Sequence, residues 1–197
     1  GGPLASATFK WSRDNASVET VIQNIDNSII TVADLGKDKE LGFGLGQWVE
    51  IVDDESSLQS NPNPLVNIQL IDPGELQITV NTSVAQYSGK PGLKLRRWDQ
   101  ATSATANGLD MSGGGWIELE DGIQVNFSAG TYNAGDYWLI PARTATGDIE
   151  WPPYSSPGAS PEPQHPVGTH HHYCRLALIQ VQNGTVIIND CLKPFPS

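Results

Sequence analysis

The sequence predicts an all-β fold with long loops and almost no helix, on the strength of three observations. Runs rich in Val, Ile, Thr and aromatic residues recur about every ten residues, bounded by Gly, Pro, Asn and Asp. Inside the runs, apolar and polar residues alternate; Gln23, Gln69, Gln77, Gln124 and Gln180 each follow an aliphatic residue, the pattern of sheets wetted on one side. Tight-turn signals sit between consecutive runs.

In chain order the expected strands are Ala7–Trp11, Ser17–Gln23, Ser28–Ala33, Gln47–Asp53, Leu65–Ile71, Glu75–Asn81 and Leu93–Trp98. Beyond a break come Trp116–Glu120, Gly122–Phe127, Asp136–Pro141, Tyr173–Val181 and Thr185–Asp190. One helical turn is expected, over Asp54–Gln59.

Three turns follow from their chemistry. Asp72-Pro73-Gly74 suits a three-residue hairpin loop, with Pro setting φ early and Gly accepting the left-handed position. Glu120-Asp121-Gly122 does the same between Ile117/Leu119 and Ile123/Val125/Phe127. Asn183-Gly184 instead fits a two-residue type I′ turn, which sets Val181 opposite Val186 and Ile179 opposite Ile188.

These elements suggest an N-terminal β unit over 1–99 and a loop over 100–115, rich in Gly, Ser, Thr and Ala. A second antiparallel β unit over 116–197 follows. The first would hold an SH3-like small barrel from about Phe9 to Trp98, with Gly46-Gln47-Trp48-Val49-Glu50 entering a central strand. The second carries a Pro-rich loop over 151–168, whose six prolines favour extended backbone outside any ladder.

Composition narrows the function. The 197 residues hold 22 acidic and 11 basic side chains, a formal charge of −11. The nearest thing to a basic stripe is Lys94-Leu95-Arg96-Arg97, so nucleic acid is not an expected partner. Anionic membrane surfaces are disfavoured for the same reason. No apolar run approaches the roughly 20 residues of a membrane helix, so membrane insertion is not expected either. The opening Gly1-Gly2-Pro3-Leu4 lacks an initiator Met and a signal pattern, and reads as a fragment or a processed form.

Two cysteines rule out a dense disulfide scaffold. They fall in the only cluster with metal-ligand chemistry, where His170, His172 and Cys174 would share one strand face and Cys191 would lie opposite Leu176 on that face. Zinc held by His170, His172, Cys174 and Cys191, a Cys174–Cys191 disulfide, or two free thiols are the three readings; the expectation without zinc is that no cofactor is needed. Carboxylates gather at Asp53-Asp54-Glu55, at Glu118/Glu120/Asp121 and at Asp136/Asp148/Glu150, the pairs that glycoside hydrolysis would require. Nothing in the sequence raises their pKa, and hairpin tips attract acids anyway, so no catalytic residue is assigned. Of six tryptophans, Trp11, Trp48 and Trp138 read as packing residues, whereas Trp116 and Trp151 are the candidates for exposed contacts.

Several long words carry a family resemblance: Gly1-Gly2-Pro3-Leu4, Thr8-Phe9-Lys10-Trp11-Ser12-Arg13-Asp14-Asn15, Gly46-Gln47-Trp48-Val49-Glu50-Ile51-Val52-Asp53-Asp54 and Leu95-Arg96-Arg97-Trp98-Asp99. Glu120-Asp121-Gly122-Ile123-Gln124-Val125, the run from Thr131 to Arg143, His171-His172-Tyr173-Cys174 and Asp190-Cys191 extend it nearly end to end. Together they resemble an uncharacterised bacterial all-β family, a domain of unknown function often encoded near phage-tail-like contractile injection systems. The resemblance implies a structural or accessory role and carries no catalytic residues.

The expected function is therefore a non-enzymatic structural or binding module of a phage-tail-like or cell-surface assembly. Its location would be extracellular or particle-associated, in soluble form. Its partners would be other protein subunits, either the rest of its own precursor or identical copies. A carbohydrate-binding module that stacks a glycan on exposed Trp is the alternative, and a zinc-dependent hydrolase is the third.

Overall fold

The computed structural model describes residues 2–59, 61–100, 103–152, 161–167 and 175–191. The fold is all-β with little helix, and its centre is a closed barrel of six antiparallel strands. They are β1 (Glu19–Asp26), β2 (Ile29–Val32), β3 (Trp48–Val52), β4 (Leu65–Asp72), β5 (Gln77–Val80) and β6 (Lys94–Trp98). The order around the ring is β1-β2-β5-β4-β3-β6. β3 pairs on both sides, Val49 lying opposite Val66 on β4 and Arg97 on β6. The ring closes where Glu19, Thr20 and Val21 face Arg96, Leu95 and Lys94.

Alternation fills the barrel. Ile30 and Val32, Val49 and Ile51, Ile78 and Val80, together with Ile25, Val66, Ile68 and Leu95, form the core. Each such side chain contributes about 1.5–3 kcal/mol relative to exposure. The single helix, α1 (Asp54–Leu58), starts at Asp53, whose carboxylate accepts from Ser56 N at 2.6 Å while Ser56 Oγ accepts from Asp53 N at 3.1 Å. This reciprocal box satisfies two otherwise orphan amides.

The β4–β5 connection differs from the three-residue loop expected at Asp72-Pro73-Gly74. Asp72 lies opposite Gln77, so the connection is the four residues 73–76, and Leu76 rather than Gly74 takes the left-handed conformation (φ 52°). Asp72 Oδ1 holds the turn by accepting from Gly74 N and Glu75 N. With an even connection Ile68 would fall opposite Asn81, and a strand slipped by one residue turns its apolar set outward. A bulge at Gln69 restores the phase: Ile71 faces Ile78 before it and Ile68 faces Val80 after it, while Leu70 is turned out and 58% exposed.

The expected strand over Asp136–Pro141 forms no ladder; its segment is tied by single bonds, with Val167 N donating to Tyr137 O and Glu150 N to Pro141 O. Elsewhere the later pairings are short. Ile117 and Glu118 face Val125 and Gln124, and Leu119 N donates to Ile123 O, which leaves Glu120-Asp121-Gly122 as the connection.

The chain separates into two units, 1–167 and 168–197. The boundary anticipated over 100–115 falls inside the larger one, because the N-terminal arm is sewn to later segments. Gly2 and Pro3 pair with Tyr132 and Thr131, Thr8 and Phe9 with Asp110 and Leu109, and Asp99 N donates to Trp11 O. Ala7, Leu109 and Met111 are buried along this seam.

The smaller unit contributes a two-stranded hairpin, β7 (Ala177–Gln182) and β8 (Thr185–Asp190). Its register sets Val181 opposite Val186 and Ile179 opposite Ile188, and Asn183 (φ 48°) and Gly184 (φ 78°) both take the positive φ that a type I′ turn requires. No helix among the described residues is long and apolar enough to cross a membrane.

The ring's closing seam is charged. Glu19 accepts from Lys94 Nζ at 2.8 Å and from Arg96 Nη2 at 3.1 Å. The Lys94 hydrogen bond, aided by Arg96 against the opposing effect of burial, holds the Glu19 carboxyl below its ordinary range. The folded state thus binds this proton less readily than the unfolded one, so the contribution is complete above the unfolded value and is lost as pH falls through the depressed one. Urea unfolding at about pH 6 and about pH 3 should show a smaller acid-induced loss for Glu19→Gln than for the wild type; equal losses would remove the seam from this role.

Candidate functional site

The sequence singled out His170, His172 and Cys174, and all three lie outside the described residues, as does His171. Cys191 is half-buried, with its thiol 3.7 Å from Asn189 O, and its amide donates to Leu176 O, the opposition read from the hairpin register. His165 is exposed. Among the described residues no three His, Cys, Asp or Glu side chains are grouped to hold a metal.

The carboxylate pairs are dispersed into structural partnerships. Asp53 caps α1, Glu120 receives the Arg13 guanidinium, Asp136 Oδ2 accepts from Asn133 N at 2.8 Å, and Glu150 pairs with Arg143 at 2.8 Å.

Two polar centres that the sequence did not single out occupy the junction of arm and barrel. In the first, Glu50 on β3 is buried, and Lys10 from the arm reaches it at 2.6 Å. The same oxygen accepts from Trp98 Nε1 at 2.8 Å, the other accepts from Asn63 N at 2.8 Å, and Lys10 Nζ lies 4.6 Å from the Trp98 ring centre. Burial pushes the Lys10 amine below its ordinary value, against the pull of Glu50. Glu50 accepts from three donors and clamps the arm.

The second centre is Arg97 on β6, only 1% exposed. Its Nη1 donates to Gly42 O at 2.6 Å and Glu40 O at 2.9 Å, its Nη2 to Asp14 at 3.0 Å, and its Nε lies 3.1 Å from Asp99 Oδ1, off the hydrogen-bond direction. Asp99 in turn accepts from Arg13 N at 2.9 Å, and Arg13 Nε donates to Glu120 at 2.7 Å. Donation to the Glu120 carboxylate raises the Arg13 guanidinium above its ordinary value. One buried guanidinium therefore joins the arm, the 34–46 loop and β6, and Arg13 carries the chain of contacts on to the 117–125 hairpin. Gly42 is obligatory in that loop, because a Cβ there would lie 2.2 Å from Leu35 O. The only sequence cue was Lys94-Leu95-Arg96-Arg97, where strand alternation points Leu95 and Arg97 inward together.

The aromatic residues divide. Trp116 is 51% exposed. Trp151 is half-buried, its indole N–H donating to Glu162 O at 2.8 Å, and Trp138 does the same to Gln164 O at 3.0 Å. Residues 161–167 of the Pro-rich loop are thus held by two indole N–H groups. Trp138 also joins Phe127 and Tyr132 in a ring cluster that Phe9 of the arm completes, with centroids 5.0–6.2 Å apart.

In the smaller unit, Ile179, Val181, Val186 and Ile188 share one face of the hairpin by register and are 57–68% exposed. A face of four β-branched side chains is an unusual thing to leave in water.

With this geometry in place, the chain is matched over residues 2–195 by a family of unknown function, DUF6519, and it belongs to that family. No curated protein and no solved structure matches it.

Removing one partner of a buried ion pair costs about 3–5 kcal/mol. Arg97→Leu should therefore lower the unfolding free energy by on the order of 3 kcal/mol or more, measured by chemical denaturation. Arg97→Lys should not restore it, because an ammonium cannot reproduce the planar fork. A loss below about 1 kcal/mol would show that the centre is dispensable.

Proposed function

We propose that the chain is a non-enzymatic structural or binding module of a phage-tail-like or cell-surface assembly. It works by contact with other protein subunits, either the remainder of its own precursor or identical copies, in an extracellular or particle-associated setting. The observation that carries this reading is the hairpin face of Ile179, Val181, Val186 and Ile188. A lone two-stranded hairpin is marginal in water, and its outer strand edges offer backbone groups to another sheet. Strand addition gives affinity through the backbone and specificity through alternate side chains, which suits such a face. The formal charge of −11 keeps a particle-bound copy apart from anionic surfaces. The resemblance to a family encoded beside contractile injection systems supports the particle setting.

A second reading rests on Trp116, whose exposed ring fits a sugar-stacking platform. A glycan array on which the wild type binds and Trp116→Ala does not would favour it.

The test is a photo-crosslinking residue at position 186 in the full chain, expressed in its source cell. The expected result is covalent capture of a subunit that co-sediments with a large particle, abolished by Ile179→Asp. A free monomer in native extracts, with no cross-link, would overturn the proposal.

A further inference from the structure

The hairpin has edges as well as a face, and the chemistry of one edge separates its candidate partners. Strand β8 opens with four β-branched residues in succession, Thr185-Val186-Ile187-Ile188, and among the described residues it pairs with β7 alone. No charged residue lies between Arg175 and Asp190, neither strand contains proline, and the register runs without a bulge from Ala177 opposite Asp190 to Gln182 opposite Thr185. Native sheets use Lys, Pro and bulges to keep foreign strands off an edge, and this edge has none of them. The phase of its ladder is set at both ends. A two-residue turn makes Gln182 and Thr185 a hydrogen-bonded pair, and Cys191 N donates to Leu176 O. Alternation then turns the backbone groups of Ile187 inward to Gln180, and those of Val186 and Ile188 outward along the edge away from β7.

We infer that β8 pairs antiparallel with β8 of a second copy of this chain, about a two-fold axis at Ile187; the inference rests on the contact reading of the hairpin and names its partner. Charge selects that partner. In a two-fold contact, residues near the axis meet their own copies, so any charge there faces a like charge. A contact with an unlike subunit carries no such restriction and gains from opposite charges. In a chain of charge −11, both strands are free of charge as far as Asp190, which is what self-pairing requires. The register follows from the outward groups. Val186 exchanges hydrogen bonds with Ile188 of the second copy, Ile187 faces Ile187 of the second copy, and Asp190 lies away from the axis, opposite Gly184. Centring on Ile188 instead would set the Asp190 carboxylate opposite Val186. An axis perpendicular to the sheet keeps Ile179, Val181, Val186 and Ile188 of both copies on one side. Two marginal hairpins thus become one four-stranded sheet with a doubled apolar face for the assembly to cover.

The test is charge complementation at the axis, read by native mass spectrometry of the full chain, whose wild type should dimerise. Ile187→Lys and Ile187→Glu should each weaken the dimer about tenfold or more, because like charges then meet, and mixing the two variants should restore it as a heterodimer. Leu178→Lys, on the same face as Ile187 but on β7, should leave the dimer unchanged. If either charged variant unfolds, Ile187→Cys carries the test. Opposed residues of a non-bonded pair have Cα atoms about 4.5 Å apart, within disulfide range, so peptide mapping after mild oxidation should find position 187 linked to itself. A wild type that stays monomeric, a dimer indifferent to Ile187→Lys, no recovery on mixing, or no such disulfide would each overturn the inference. A monomeric wild type whose position 186 still captures an unlike subunit in the cell sinks the self-pairing and leaves the contact role standing. A monomer with no capture sinks both.

Discussion

The structure depends on a buried guanidinium. Arg97 sits where the β6 end of the barrel meets the N-terminal arm and the loop that precedes β3; it is 1% exposed and has partners in the arm and in the loop. Burying an isolated cation is prohibitive unless its donors are matched and a counter-charge is near. Here two backbone carbonyls and the carboxylates of Asp14 and Asp99 supply that match. Asp99 is shared with Arg13, and Arg13 with Glu120, so the constraint extends from β6 to the hairpin of residues 117–125. Glu50 with Lys10 repeats the device at lower depth, pinning the arm a second time. Residues flanking the barrel on either side in sequence are thereby held as one body with it.

What the sequence made legible follows physical range. The barrel strands announced themselves because all but Lys94–Trp98 place β-branched residues at alternate positions, and Asn183-Gly184 fixed a register because two positive-φ residues allow few alternatives. The helical turn after Asp53 was local too, although its capping by Asp53 and Ser56 was not foreseen. The Gln69 bulge was hidden because turn chemistry at Asp72-Pro73-Gly74 suggested an answer that kept phase without it; Leu76 accepted a left-handed backbone that its own propensity disfavours. Pairing of the arm with Leu109, Asp110, Thr131 and Tyr132 was hidden because two-residue ladders leave no period to read. The site fared similarly. Trp116 and the hairpin's apolar face could be located from alternation, whereas the indole seats at Trp138 and Trp151 depend on where a proline segment comes to rest, which no spacing rule conveys. Arg97 read as part of a basic surface run until alternation placed it inside.

Around its apolar core, this chain departs from a simple globule at two places. Charge is spent inside, where it joins segments remote in sequence, and aliphatic surface is displayed outside on the hairpin. The interior ion pairs join the arm, the loop and the barrel, and the exposed β-branched residues lie on one face of the hairpin. Both features are what the proposed contact role would call on.

The way Arg97 grips the 34–46 loop has an evolutionary corollary. It binds main-chain oxygens of Glu40 and Gly42, and peptide oxygens are common to every amino acid. The side chains of the loop are a different matter: Asp38 Oδ1 accepts from Glu40 N and Leu41 N and so shapes the backbone that Arg97 grips, Glu40 pairs with Arg13, and the exposed Lys37 is the position whose chemistry the anchor leaves open. An anchor that grips main-chain oxygens thus constrains the path of the loop, through Gly36, Gly42 and Asp38, more than the chemistry of the side chain that Lys37 holds out.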